Sequence, residues 1–324
     1  MVTAGSSINQ KENPFMEMLT TMITPYTGDG AVDYETAERY VDFYFNAGLD
    51  GIFAVCQSSE IFFLTLEERV ELNRRVYARA KELERSSGKA FTVVSSGHIS
   101  DTVEDQAKEL NAIYASGTDA LILITNRLDP DNLGDDVFIE NLEKLMKLLP
   151  ADAKLGFYEC PYPYKRLVTP RILEYCKSTG RFYYMKDTCC DAKVIAERVK
   201  ILEGSEFKLL NANCQTLLES LRLGADGYCG IMCNYHPRLY AHLAENYESA
   251  EADKLQALIG PLGYTEAAIP YPLSAKYHMT LCGIETNLIT RNPACRPLSE
   301  YDKASIRQLK LITDEAERAL GYGG

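Results

Sequence analysis

Ser116-Gly117-Thr118-Asp119-Ala120-Leu121-Ile122-Leu123-Ile124 is the stretch whose reading decides the fold. A helical pattern, Thr102 to Ala115, runs into Ser116-Gly117, and five consecutive apolar residues follow after Thr118-Asp119. Glycine accepts the left-handed backbone that ends a helix, and an apolar run of this length suits a strand buried on both faces. The same punctuation recurs at Ala47-Gly48, Thr179-Gly180 and Leu223-Gly224, each followed within a few residues by an apolar run. Working outward, strands are predicted at Met18–Ile23, Gly51–Val55, Phe91–Ser95, Ala120–Ile124, Lys154–Tyr158, Phe182–Lys186, Phe207–Leu210 and Gly227–Ile231. Amphipathic helical patterns lie between them at Tyr34–Ala47, Leu66–Leu83, Thr102–Ala115, Asp136–Leu148, Pro170–Lys177, Ala192–Leu202 and Cys214–Leu221. Eight βα units predict an α/β chain closed into a (β/α)8 TIM barrel. An open doubly wound sheet would show fewer units and a phosphate-binding glycine loop after its first strand.

The domain plan that follows is a flexible N-terminal arm over 1–16, a barrel over 17–234 and a C-terminal helical extension over 235–324. In that appendix Pro261, Pro270, Pro272 and Pro293 are expected to break the helices. Met1 to Pro14 is polar and lacks the apolar region of a secretory signal, so the expected location is cytoplasmic. No stretch approaches the ~18 apolar residues of a membrane span. With 34 Lys+Arg against 46 Asp+Glu the net charge is −12, which repels nucleic acid and anionic lipid as partners. The ten cysteines are scattered through apolar segments such as those of Cys56, Cys176, Cys229 and Cys282, the pattern of buried reduced thiols. The vicinal Cys189-Cys190 reads as packing. His98, His236, His242 and His278 lack metal-ligand spacing, and neither GxGxxG nor a Walker loop occurs, so no metal and no cofactor is expected. His98 closes the third strand, where a structural role is favoured.

In such barrels the chemistry sits at the C-terminal strand ends, so polar groups closing apolar strands are the candidates. Lys186 ends Tyr183-Tyr184-Met185-Lys186. It reads either as a snorkelling lysine or partner of Asp187, or as a desolvated amine; removed from water, an amine favours its neutral, nucleophilic form and condenses with a ketone. Tyr158 ends the preceding strand, Leu155-Gly156-Phe157-Tyr158, either as a core aromatic with a polar tip or as a proton carrier. Cys56-Gln57-Ser58-Ser59-Glu60 follows the second strand. Its small hydroxyls and successive N–H groups suit a carboxylate, although serines in a loop are common.

Together these residues resemble the dihydrodipicolinate synthase and N-acetylneuraminate lyase family of Schiff-base-forming class I lyases. The likeness covers nearly the whole chain. It begins at Thr24-Pro25, Asp29-Gly30 and Val32-Asp33, passes through the serine turn where the family has GTTGE or GSTGE, and includes Gly117 to Ala120. Tyr158 with Pro161, Lys186-Asp187-Thr188, Gly224-Ala225-Asp226-Gly227 with Gly230 and Asn234, and Arg296-Pro297-Leu298 complete it. The resemblance implies pyruvate or a pyruvate-containing 2-keto acid as substrate, Lys186 as the Schiff-base lysine and Tyr158 as the proton carrier. It also implies that Gln57, Ser58, Ser59, Thr188 and Ile231 bind substrate, and that the chain forms a homo-oligomer, a dimer or tetramer.

The pattern also has departures. The first threonine of GTTGE, a proton relay in the synthases, is Gln57, and the synthase tyrosine pair after strand four falls on Thr125-Asn126-Arg127-Leu128. The synthase arginine that holds a second carboxylate is Pro163, leaving Arg127 and Arg166 as candidates for a distal anionic group. The acidic pair by which sialic-acid lyases grip the sugar tail falls on Asn211-Ala212-Asn213-Cys214. The expected activity is therefore aldol cleavage or condensation, or dehydration, of a 2-keto-3-deoxy sugar acid. The competing readings are the synthase proper, joining pyruvate to aspartate semialdehyde, and a non-catalytic keto-acid-binding relative.

Overall fold

Gly117 carries out the turn expected of it, with φ at +100°, and a Cβ there would stand 2.3 Å from the ring of Tyr77. The strand it introduces is buried along its whole length, which is why it reads as an unbroken apolar run. The computed structural model describes residues 16–322; the N-terminal arm expected over 1–16 lies outside them, apart from Met16.

Eight parallel strands follow one another around a closed barrel: β1 (Glu17–Thr21), β2 (Gly51–Phe53), β3 (Thr92–Ser95), β4 (Ala120–Ile124), β5 (Leu155–Tyr158), β6 (Phe182–Asp187), β7 (Lys208–Asn211) and β8 (Gly227–Gly230). Closure comes from β1 pairing with β8 in the register Glu17 to Gly227 through Thr20 to Gly230. At Gly227 a Cβ would meet the backbone oxygen of Glu17 at 1.9 Å, so only glycine lets the seam close. The connecting helices are α1 (Tyr34–Asn46), α2 (Leu66–Ser87), α3 (Val103–Ala115), α4 (Asp135–Leu148), α5 (Pro170–Thr179), α6 (Ala192–Leu202) and α7 (Leu217–Arg222). Side-chain caps start several of them, among them Thr65 with Glu68 on α2 and Thr169 before Pro170 on α5.

One boundary differs from the sequence reading for an identifiable reason. The last helix before β8 begins at Leu217 rather than Cys214, because the Asn213 side chain accepts from both the N–H and the hydroxyl of Thr216 and holds a turn there. Pro261, expected to break a helix, lies inside α9 (Ala252–Ala267). The remaining helices are α8 (Pro237–Asn246), which packs on β1, α10 (Leu273–Leu281) and α11 (Glu300–Ala319), with α10 against α11 and α9 against α7 and α8. Among the described residues no helix is long and apolar enough to cross a membrane.

Candidate active site

The register of β5 and β6 sets Tyr158 and Lys186 opposite each other as Cα partners at the strand ends. The Lys186 Nζ stands 4.0 Å from the centre of the Tyr158 ring and 5.7 Å from that of Phe53, and the side chain is buried. Phe53 and Tyr158 meet edge to face at 5.6 Å, so the amine is seated against two rings. Among the described residues no carboxylate pairs with it. Asp187, its neighbour in sequence, is drawn instead to Arg198.

Arg198 on α6 holds a buried cluster behind the two strands. Its Nη2 donates to Glu159 at 2.7 Å and to the Val168 carbonyl at 2.7 Å, while Nη1 binds Asp187. Glu159 also accepts from the N–H groups of Val168 and Thr188, at 2.7 and 2.9 Å. Burial pushes its carboxyl up against the opposing pull of Arg198. The cluster fixes the ends of β5 and β6 to each other, and with them the lysine and the phenol.

Burial also pushes the Tyr158 phenol well above its ordinary value, so it stays protonated. Its hydroxyl donates to the Gln57 amide oxygen at 3.0 Å, and the Cys160 thiol donates to the same oxygen at 3.4 Å. Gln57 opens a single 3-10 turn, Gln57–Ser59, whose first N–H groups have no partner within the turn. The Ser59 hydroxyl is spent on the backbone around this turn: its one proton lies between the Met22 carbonyl, at 2.7 Å, and that of Ala54, and it accepts from the Cys56 N–H at 3.2 Å. Ser58 donates to Thr21 at 3.1 Å and meets the Tyr271 hydroxyl. The turn ends at Glu60 in the left-handed region, φ 60°, with its carboxylate buried. There Lys276 donates at 3.0 Å, Thr290 at 2.7 Å and the Arg291 N–H at 2.7 Å.

The structure thus brings Lys186, Tyr158 and Gln57 together, with Ser58 and Ser59 on the same turn as Gln57. Other expected site residues are committed elsewhere. The Thr188 hydroxyl donates to the Glu159 carbonyl at 2.9 Å. Ile231 stands half-buried just past β8, its carbonyl accepting from Asn234 at 2.9 Å. Arg127, expected to recognise an anion, pairs with Asp101 at 2.8 Å. Arg166 is buried between Asp129 at 3.0 Å and Asp135 at 2.7 Å, where it ties the loop after β5 to the start of α4. His98 locks a rim of the barrel: its Nε2 accepts from the Ile124 N–H at 2.7 Å and its Nδ1 meets Gln106 at 3.2 Å. Among the described residues no group of three His, Cys, Asp or Glu side chains could hold a metal ion.

The sequence reading missed several groups. Cys229 lies near the amine: burial pushes its thiol up to about 12, with the Lys186 charge pulling the other way. Lys276 and Tyr271 come from the tail, and their signals were a lysine inside an apolar helical pattern and a tyrosine set between Pro270 and Pro272. Glu159 stands directly after Tyr158, a carboxylate in an apolar surround that asked for a cation.

With this geometry in view, the comparisons are informative. The model of the dihydrodipicolinate synthetase family matches residues 14–123 and 174–311, which include Gln57 and Lys186 and leave Tyr158 in the gap. A 4-hydroxy-tetrahydrodipicolinate synthase of Shewanella denitrificans is 24% identical over 303 residues, covering 90% of this chain and 96% of its own. An uncharacterized DapA-like lyase of Chloroflexus aurantiacus is 24% identical over 298 residues, covering 90% and 94%. Among solved structures, YagE of E. coli K12, a prophage protein in complex with pyruvate, superposes with a TM-score of 0.79 at 20% identity, over 92% of this chain and 99% of that one. A dihydrodipicolinate synthase variant described as monomeric gives 0.80 at 19% identity, over 92% and 97%. Those structures share the barrel, and the family model, matched over most of the length, settles descent: the chain belongs to the dihydrodipicolinate synthetase family, whose members are class I, aldolase-type lyases.

Proposed function

We propose that the protein is a Schiff-base-forming lyase acting on pyruvate or a 2-keto acid that contains it, through Lys186. The observation that supports this most is a buried amine set 4.0 Å over the ring of Tyr158 while the carboxylate next to it in sequence is held by Arg198. An amine without an anionic partner is free to meet a carbonyl carbon. Lys186 adds to the keto carbon, and the carbinolamine hydroxyl leaves as water with a proton supplied by Tyr158. The resulting iminium draws in the electrons of the bond between its neighbouring carbon and the hydroxyl-bearing carbon beyond. That hydroxyl gives its proton to Tyr158, left as phenolate by the first step, and an aldehyde departs. The enamine on the lysine takes up a proton and is hydrolysed by water to the keto acid and free Lys186; condensation runs the same steps in reverse. The substrate carboxylate lies against the opening N–H groups of the Gln57–Ser59 turn, which orients the ketone for attack. No cofactor takes part in this scheme.

The named relatives favour a second reading, condensation of pyruvate with aspartate semialdehyde. Against it stands Pro163 at the synthase arginine position, with Arg166, three residues on, paired twice. Borohydride reduction with pyruvate present tests the shared step. The expected result is one reduced adduct per chain, mapped to Lys186 by peptide mass spectrometry and lost in Lys186→Ala. An unmodified chain, or label spread over surface lysines, removes the reading.

A further inference from the structure

Two donors, the Tyr158 phenol and the Cys160 thiol, converge on one atom of the Gln57 amide, at 3.0 and 3.4 Å. With the amide oxygen turned to the Tyr158 proton, Nε2 stands at the other end of the amide. The other end carries two N–H groups, and Nε2 makes no hydrogen bond to any described residue. Gln57 is half-buried on the turn at the end of β2. The side chain therefore presents a held, unspent, neutral donor pair beside the phenol that serves the reacting carbon.

Of the two arginines considered for a distal anion, Arg166 is held by Asp129 and Asp135 and Arg127 spends its Nη1 on Asp101. A neutral N–H pair matches a hydroxyl or carbonyl oxygen, whereas a second carboxylate is recognised by a guanidinium. We propose that Gln57 is a specificity-determining residue that donates from Nε2 to a hydroxyl oxygen on the half of the keto acid beyond the cleaved bond, so that the substrate class is a neutral, hydroxylated tail. This rests on the Schiff-base reading. The same amide holds the phenol, whose O–H rests on the Gln57 oxygen and must turn from it to deliver its proton to the carbinolamine hydroxyl. Recognition of the tail and positioning of the proton carrier thus share one group.

The test compares kcat/KM for addition of pyruvate to glyceraldehyde, propionaldehyde and aspartate semialdehyde. In the wild type glyceraldehyde is favoured over each of the others by ~10-fold or more, the effect of one buried donor satisfied or left bare. Gln57→Leu removes the donor. Gln57→Glu keeps an acceptor for Tyr158 and Cys160 and replaces the N–H pair by an oxygen. In both variants the glyceraldehyde-to-propionaldehyde ratio falls by ~10-fold, and taking the ratio within each variant cancels any common loss at the lysine step. A wild type that prefers the semialdehyde, shows no preference or turns over none of the three while trapping pyruvate overturns the inference, as does a ratio unchanged in both variants. Failure of the wild type to trap pyruvate strikes instead at the Schiff-base reading beneath it.

Discussion

Among the described residues two lysines are buried, and the contrast between their surroundings teaches what makes one of them reactive. Lys186, at the end of β6, lies 4.0 Å from the ring of Tyr158; Lys276, on α10, lies 4.4 Å from that of Tyr26. Both are buried and both lean on an aromatic face. Lys276 however donates to Glu60 at 3.0 Å and to the Ile289 carbonyl at 2.6 Å, and Lys186 has no such partners among the described residues. Burial pushes the Lys276 amine down, and Glu60 pulls it back. Burial and a ring are therefore shared, and the carboxylate is what differs. A lysine held in an ion pair is a strut. One kept from its nearest carboxylate is available to a ketone.

Lys186 and Asp187 are consecutive in β6 and so face opposite sides of the sheet, Asp187 being held outside by Arg198, and the largest effect is expected from removing that arginine. Arg198→Met leaves Glu159 and Asp187 buried, adjacent and without their cation. Stripping one partner from a buried ion pair costs about 3–5 kcal/mol, and two stranded carboxylates place this variant at the upper end, about 5 kcal/mol. The expected result is a large fall in the urea midpoint. In the fraction that folds, the ends of β5 and β6 lose the tie that Arg198 makes between Glu159 and Asp187, and borohydride labelling with pyruvate drops. A variant as stable as the parent and labelled at the same rate would show that the cluster neither supports the strands nor positions the amine.

Removing the other lysine has a smaller and different effect. Lys276→Met strands one carboxylate, Glu60, which keeps the Thr290 hydroxyl and the Arg291 N–H as donors. A loss of about 3 kcal/mol is expected, the lower end for a broken buried pair. Because Glu60 closes the Gln57–Ser59 turn, the functional damage should appear as a raised KM for pyruvate, with the label still mapping to Lys186. Equal damage to kcat and an unchanged KM would place the turn outside the keto-acid site.

The same contrast explains how much could be read from sequence. The barrel was legible because its parallel strands are buried on both faces and write continuous apolar runs, and because a glycine such as Gly117 marks where each helix must turn back. Lys186 and Tyr158 were legible as polar groups closing apolar strands. Their supports were not. Arg198 stands 39 residues from Glu159 and looks like any basic residue on an amphipathic helix. Lys276 and Glu60 are separated by 216 positions and meet only because α10 returns to the barrel mouth. Arg166 was read as an open anion clamp, although Asp129 and Asp135 both reach it; nothing local in the sequence says which carboxylates the fold will bring. Gln57 was seen as the loss of a relay hydroxyl, but its link to Tyr158 spans 101 residues and appears only once the strands are in register.

A third buried basic group, His98, sharpens the comparison because the fold keeps it neutral. Its Nε2 must be an acceptor to take the Ile124 N–H, so a proton there would set two donors against each other, and burial lowers its pKa from 6.5 to about 4. Between those values the unfolded chain binds a proton that the folded chain does not. Stability contributed by neutral His98 is therefore full above pH 6.5, declines as pH falls toward 4, and amounts across the window to about 3 kcal/mol. From pH 7 to pH 5 the share lost is about 2 kcal/mol. In His98→Gln that share has no titrating group behind it, while the carboxylates of both chains respond alike. Urea titrations at the two pH values should thus show the wild type losing about 2 kcal/mol more than the variant. Parallel pH slopes would mean that a proton enters this rim freely, and that the rigidity ascribed to the end of β4, and through Gln106 to the Arg127 backbone 3.0 Å away, comes from another contact.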